Sequence, residues 1–220
     1  MTLAFFTVFR GDPQHYLHAT TLVREVRSVM PCRVVQLTDD TTPAVEGVDA
    51  VLRRPAGKML ERRLEHYASM TEPTLFVDTD VSIRKDVSAV FTGPAEVILT
   101  DRSWPHLPQD EHTLQTMPFN TGVAWSQTPS FWADVLAVWR SYSTAEQDWM
   151  SEQRAVYAVV KTGRYRVQIL PGQTYNYPPA SAEDPCTDAA ICHYKGPRKL
   201  WLSQRSYRIL GTPVAHEVAA

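Results

Sequence analysis

The segment Thr74-Leu75-Phe76-Val77-Asp78-Thr79-Asp80 constrains this chain more than any other stretch. A short apolar run with a β-branched first residue reads as a strand buried on both faces, the usual state in a parallel sheet covered by helices. It empties into two carboxylates spaced by one residue. In an extended chain residues i and i+2 project to the same side, so Asp78 and Asp80 are expected together where the strand emerges. Open α/β sheets bind their ligands at that edge. Two like charges at ~4 Å repel by about 4 kcal/mol in an effective dielectric near 20. Protonation, hydration or a cation between them relieves the repulsion. Mg²⁺ or Mn²⁺, which take oxygen ligands and keep positions open for substrate phosphates, suits the third case. The alternative is a solvated acidic turn that merely closes a strand.

The surrounding chain supplies a frame for that strand. Residues 3–9, 33–38 and 50–52 read as strands, and 15–30 and 58–70 as helices. Strand, helix, strand, strand, helix, strand is the pattern of a doubly wound nucleotide-binding half. Further on, 81–83, 97–100, 119–125 and 165–170 read as extended, and 130–142 and 147–161 as helices. Residues 103–117 are rich in Pro, His, Asp and Gln with little periodicity, which predicts a mobile loop over a site. Trp104, His106 and His112 lie in it. No GxGxxG or GxxxxGK[ST] follows any strand, so phosphates would be held by a metal and basic side chains. The expected fold class is α/β, a single domain over 1–220 with a mostly parallel central sheet flanked by helices. Residues 1–100 form the nucleotide-binding half and 101–190 the acceptor-side half. The tail, 191–220, is expected to lack packing of its own and to close on a bound donor.

Composition narrows the function classes. An apolar content of 44% and a charged content of 21% fit a globular chain and exclude a disordered one. A net charge of −2 gives no global drive toward nucleic acid or anionic membrane. Basic clusters at 53–63 and 195–208 are either solvated faces or partners for a diphosphate or a nucleic-acid backbone. Three cysteines are too few for a disulfide framework, and Cys186, Cys192 and His193 lack a matching fourth zinc ligand. No segment reaches the length of a membrane span, and residues 3–9 lack the flanks of a signal peptide. A cytoplasmic protein with reduced thiols and no membrane insertion is expected.

Asp78-Thr79-Asp80 resembles the DxD motif of the GT-A glycosyltransferases, the nucleotide-diphospho-sugar transferases. His193-x-x-Gly196-x-x-Lys199, followed by Trp201, is similar to the C-terminal HxxGxxK signature of glycosyltransferase family eight, the glycogenin and galactosyltransferase-like family. Phe119-Asn120-Thr121-Gly122-Val123 resembles that family's Asn-x-Gly strand. Glu152-Gln153 stands where the family carries an acidic-Gln pair, usually Asp-Gln, and Leu200 stands where it carries proline.

The resemblance implies a GT-A fold and a metal-dependent hexosyltransferase that moves a sugar from a nucleotide-diphosphate sugar, UDP-sugar first, to an acceptor hydroxyl. It implies Mn²⁺ or Mg²⁺ on Asp78, Asp80 and His193, with Gly196 and Lys199 at the diphosphate. Thr7, Asp39 and Arg62 are expected donor contacts, although Asp39 also suits an Asx turn and Arg62 an ion pair with Glu61 or Glu65. Asn120, Glu152 and Gln153 are expected at the transferred sugar. Glu152 or Asp148 is the base of an inverting enzyme and Gln153 the anomeric-centre contact of a retaining one; HxxGxxK favours retention. The acceptor stays open among a glycan, a protein, a small molecule and a hydroxymethylated base in DNA. The competing readings are a non-catalytic sugar-nucleotide-binding module and a nucleotidyltransferase. The second needs a glycine-rich, basic first turn, which Gly11-Asp12-Pro13 matches poorly.

Overall fold

A computed structural model describes residues 1–9 and 13–211; Gly11 and Asp12 of the first turn lie outside the described residues. In chain order the elements are β1 (Thr2–Phe6), α1 (Pro13–Val29), β2 (Arg33–Asp39), β3 (Ala50–Arg54), α2 (Met59–Tyr67), β4 (Thr74–Val77) and β5 (Val81–Ile83). Then come β6 (Val97–Asp101), α3 (Glu111–Thr116), β7 (Phe119–Ser126), α4 (Ser130–Ser141), α5 (Ser151–Lys161), β8 (Val167–Leu170), α6 (Gly172–Tyr175), β9 (Ile191–His193) and α7 (Lys199–Leu210). Seven strands form one sheet in the order β3-β2-β1-β4-β7-β6-β8. Only β7 runs antiparallel to its neighbours, β4 and β6. A separate antiparallel ribbon pairs β5 with β9, placing Val81 opposite His193.

The organising strand is buried at all four positions. Its alternation divides the interior in two. Leu75 and Val77 join Leu3, Phe5 and Ile98 against Ala19, Leu22 and Val26 of α1. Phe76 points the other way, to Ala4, Val35 and Leu99, and meets Leu64 of α2, Trp132 of α4 and Val159 of α5. Tyr67, Phe76 and Trp132 pack their rings 4.1 to 5.4 Å apart. Each such side chain contributes roughly 1.5–3 kcal/mol by leaving water. The strand is therefore pinned from both faces, and its C-terminal end is a fixed point.

Three expectations are corrected. Residues 103–117 are not featureless: Asp110 caps α3 by accepting from Thr113 N at 2.8 Å, and Trp104 is buried. The last long helix before β8 starts at Ser151 rather than 147, because Asp148 accepts from Met150 N in a turn. The C-terminal segment has packing of its own: Leu202, Ser203 and Ser206 of α7 are buried, and Ser203 bonds His18 of α1 at 2.9 Å. Among the described residues no helix is long and apolar enough to cross a membrane.

His66 of α2 is 1% exposed, and its Nε2–H donates to Thr38 O at 2.9 Å. Burial lowers its pKa from 6.5 to about 4. The unfolded chain therefore takes up the proton more readily than the folded one, so stability is full above pH 6.5 and falls as pH drops toward 4. The expected loss is roughly 3 kcal/mol across that window. Denaturant melts of His66→Gln at both ends of the window should show a loss smaller by about that amount; an unchanged loss would assign it to other groups.

Candidate active site

The site is assembled where β4 ends. Asp78 N donates to Gly122 O at 2.9 Å, the chain turns at Thr79-Asp80, and Tyr194 N donates to Asp80 O at 2.8 Å. The β5–β9 ribbon thus brings Asp80 and His193 face to face from 113 residues apart in sequence. One ligand atom each from Asp78, Asp80 and His193 lies within 4.8 Å of the others. His193 Nε2 is 3.3 Å from Asp80 Oδ1 and 3.7 Å from Asp78 Oδ2. Lys199 Nζ, at the start of α7, is 2.9 Å from Asp80 Oδ2. Burial works to raise the Asp80 carboxyl, but the adjoining His193 and Lys199 outweigh it and hold the group well below the usual range.

The orientation of His193 is fixed by a residue with no sequence signal. Asn176 Nδ2 donates to Thr100 Oγ1 at 2.6 Å and to Asn120 Oδ1 at 3.0 Å, so its carbonyl oxygen is the atom that faces His193 Nδ1, 2.8 Å away. Nδ1 must therefore carry a proton, and Nε2 is the nitrogen turned to the carboxylates. Two carboxylates and an imidazole lone pair held this way form a donor set that could hold a divalent metal ion.

The Asn-x-Gly strand has a physical reason here. A Cβ on Gly122 would lie 2.2 Å from His193 Cε1 and 2.6 Å from Nδ1. Only a bare strand lets the imidazole approach. Gly122→Ala should push His193 aside and weaken Mn²⁺ binding by about 10–100-fold, the range for disturbed ligand orientation. In a His193→Ala background the same substitution should cost little more. Equal losses in both backgrounds, measured by calorimetry, would mean that Gly122 acts elsewhere.

Behind Asp78 stands Arg63, rather than its neighbour Arg62, the donor contact expected from the sequence. Arg63 Nη2 is 2.8 Å from Asp78 Oδ1, and Nε is 3.5 Å from Glu152 Oε2 and 3.0 Å from Tyr67 Oη. Burial would lower its pKa, but Asp78 and Glu152 more than reverse this. Glu152 is 2% exposed; burial raises its carboxyl against the pull of Arg63. It is held within this ion pair and does not line the cleft, whereas Gln153 beside it does. Arg62, half-buried and away from the Asp78–Asp80–His193 cluster, pairs with Glu65 at 2.6 Å. The stripe Leu60, Arg63, Leu64, Tyr67 was readable at helical spacing, and it puts Arg63 on the buried face of α2.

These groups floor a cleft of ≈ 380 Å³, lined also by Thr7, Met59, Arg102, Asn120, Trp149, Lys195 and Gly196. A second cleft of ≈ 230 Å³ shares Phe6, Val8 and Met59 with it and holds Asp39, Thr41 and Arg62. Asp39 spends one oxygen on the turn it caps, accepting from Thr42 N at 2.8 Å and Thr42 Oγ1 at 2.7 Å. Arg102, just past β6, bonds Gln153 Oε1, Met117 O and Gln109 Oε1. Lys195 Nζ lies 3.1 Å from the centre of the Trp104 ring. Burial, helped by Arg102 and Arg198, pulls Lys195 down to about 7. His106 bonds Pro178 O at 2.6 Å, and His112 is exposed on α3. Cys186 and Cys192 are free thiols, buried in a small cluster with Ala189, Tyr194 and Leu202.

No family model matches the sequence, and no curated protein matches it. Solved structures do. The galactosyltransferase LgtC, in complex with donor and acceptor sugar analogues, superposes with a TM-score of 0.59 at 13% identity, over 99% of this chain and 98% of that one. A glycosyltransferase involved in glycosylation of the major capsid of PBCV-1 gives 0.59 at 16% identity, over 94% and 99%. Apo GlyE of Streptococcus pneumoniae gives 0.61 at 13% identity, over 96% of this chain and 62% of that one. At such identities the likeness is one of fold, and the chain has the GT-A fold.

Proposed function

We propose that the protein is a metal-dependent glycosyltransferase using a nucleotide-diphosphate sugar, with a UDP-sugar as the first donor to test. The observation that carries this reading is the Asp78, Asp80 and His193 cluster on the floor of the cleft, with Lys199 beside it, in a GT-A fold. A divalent ion bound there would supply positive charge against the charge that builds on a departing diphosphate. Asp78, Asp80 and His193 hold that ion. Lys199 adds a point charge to the same phosphates, and Gly196 brings the backbone to them at a φ of +62° that a glycine adopts without strain. The second cleft, with Phe6, Val8, Asp39 and Arg62, suits the nucleoside. Asn120 and Gln153 orient the transferred sugar, and Arg63 keeps Asp78 turned to its post.

Acceptor chemistry follows from the acids present. Among the described residues that line the cleft, Asp78 and Asp80 are the only carboxylates, and both belong to the ion site. Of the two candidates for an inverting base, Glu152 is engaged behind that wall with Arg63 and Asp148 pairs with Arg154, and neither lines the cleft, which favours retention. The acceptor proton then passes to the leaving diphosphate on the same face, which is the retaining course. Trp149, 62% exposed at the mouth of the cleft, offers a flat apolar face to an incoming acceptor. Incubation with UDP- and GDP-sugars, with and without Mn²⁺, should reveal slow Mn²⁺-dependent release of one nucleotide diphosphate. Release that persists in EDTA, or none from any donor, contradicts the proposal.

A further inference from the structure

Every cation in the acidic half of the cleft has a carboxylate partner: Arg63 meets Asp78 and Glu152, and Lys199 meets Asp80. The opposite holds on the side of Asn120 and Gln153. Arg102 is buried, yet its three side-chain hydrogen bonds all go to neutral oxygens, those of Met117, Gln109 and Gln153. Lys195 rests on the Trp104 ring, and the Arg102 guanidinium lies 5.8 Å from the same ring. Among the described residues no carboxylate comes within ion-pair distance of either. Burial and the neighbouring guanidinium leave Lys195 only partly protonated at neutral pH, and an anion seated between the two side chains would return the proton.

The proposed donor chemistry does not remove this imbalance. A divalent ion and the diphosphate of a nucleotide sugar carry opposite and equal charge, so they arrive together without changing the sum. Asp110, at the start of α3, acts on Arg102 only from beyond ion-pair distance, and none of the hydrogen bonds that Arg102 donates ends on a carboxylate. An anion on the substrate would meet the donors it has left. Arg102 is already held in place by Met117, Gln109 and Gln153, and two of its five N–H donors remain for a bidentate contact.

We propose that the sugar seated beside Asn120 and Gln153 carries a carboxylate, bound by Arg102 with Lys195 next to it, so that the cleft is built for a hexuronic acid. This rests on the glycosyltransferase reading and goes past it to the class of sugar. The carboxylate could belong to the transferred sugar or to the acceptor, and two arms separate them. In the donor arm, Mn²⁺-dependent binding of UDP-glucuronate is compared with UDP-glucose, and of GDP-mannuronate with GDP-mannose, by calorimetry. In the acceptor arm, methyl glucuronide is compared with methyl glucoside in the presence of Mn²⁺ and the nucleoside diphosphate that binds.

A preference of at least tenfold for the acidic sugar in one arm is expected, and that arm names the source. Arg102→Gln should reduce the preference to near unity while the plain nucleoside diphosphate binds as before, and Arg102→Lys should restore part of it. If Arg102→Gln does not fold, Lys195→Met, which gives up no hydrogen bond, should still cut the preference several-fold. Equal binding of acidic and neutral sugars in both arms overturns the proposal. So does a preference untouched by substitution of both residues. Failure of every nucleoside diphosphate to bind with Mn²⁺ is a different result, and it removes the glycosyltransferase reading and this inference together.

Discussion

Asp80→Asn should abolish Mn²⁺-dependent donor turnover, lowering it by about 10³-fold, or roughly 4 kcal/mol in the barrier. Asp80 is the point where the two halves of the site meet: one oxygen faces His193 Nε2 at 3.3 Å and the other faces Lys199 at 2.9 Å. The amide keeps the shape and the backbone bond from Tyr194 N to Asp80 O, so β5 and β9 stay paired. What it removes is the charge that offsets a divalent ion. Thermal melting close to the wild type, together with lost turnover and lost Mn²⁺ binding, is the expected combination. Turnover within a few-fold of the wild type would mean that the carboxylate is a structural partner of Lys199 and no more.

The second large effect is on stability. Arg63→Met should destabilise the fold by about 3–5 kcal/mol, the range for removing one partner of a buried ion pair. Arg63 is 8% exposed and sits between two acids, so its loss strands Glu152 inside the protein and frees Asp78 to move. In a domain of this length that corresponds to a melting temperature lower by about 10 °C. Adding Glu152→Gln should return a large part of the loss, because the stranded charge goes with it. Strictly additive losses would mean that Arg63 and Glu152 are energetically separate, and that packing against Tyr67 accounts for the role of Arg63.

What could be read in the sequence follows from where its signals are local. The run before Asp78 has no polar residue at any of its three apolar positions, and burial on both faces leaves it few other structures to adopt. The ion cluster was legible because acids one residue apart and an HxxGxxK segment are unusual compositions, and the ribbon of β5 with β9 realises their meeting. Asn176 was illegible. It lies between Tyr175 and Tyr177 in a proline-rich stretch without period, and its task depends on β6, β7 and β9 converging. Arg63 was legible in principle, since helical spacing separates it by about 100° from Arg62 and aligns it with Leu60 and Tyr67, three and four residues away. The cap Asp110 with Thr113 would likewise have announced α3 inside the long connection. The C-terminal segment was misjudged because its basic and proline residues hide a short stripe, Leu202, Ser203 and Ser206, small enough to lie flat on α1.

A metal and a diphosphate that share one site are linked in their binding, and that linkage can be measured without knowledge of the sugar or the acceptor. If Asp78, Asp80 and His193 hold an ion that also grips the diphosphate, each ligand must tighten the other by the same factor. Mn²⁺ affinity should be measured by calorimetry with and without UDP, and with GDP as the second choice, and nucleotide affinity with Mn²⁺ and in EDTA. The expected result is mutual tightening of at least tenfold, equal in both directions and lost in Asp80→Asn. Nucleotide binding that is indifferent to EDTA, or Mn²⁺ binding that is indifferent to nucleotide, would contradict the account at its centre.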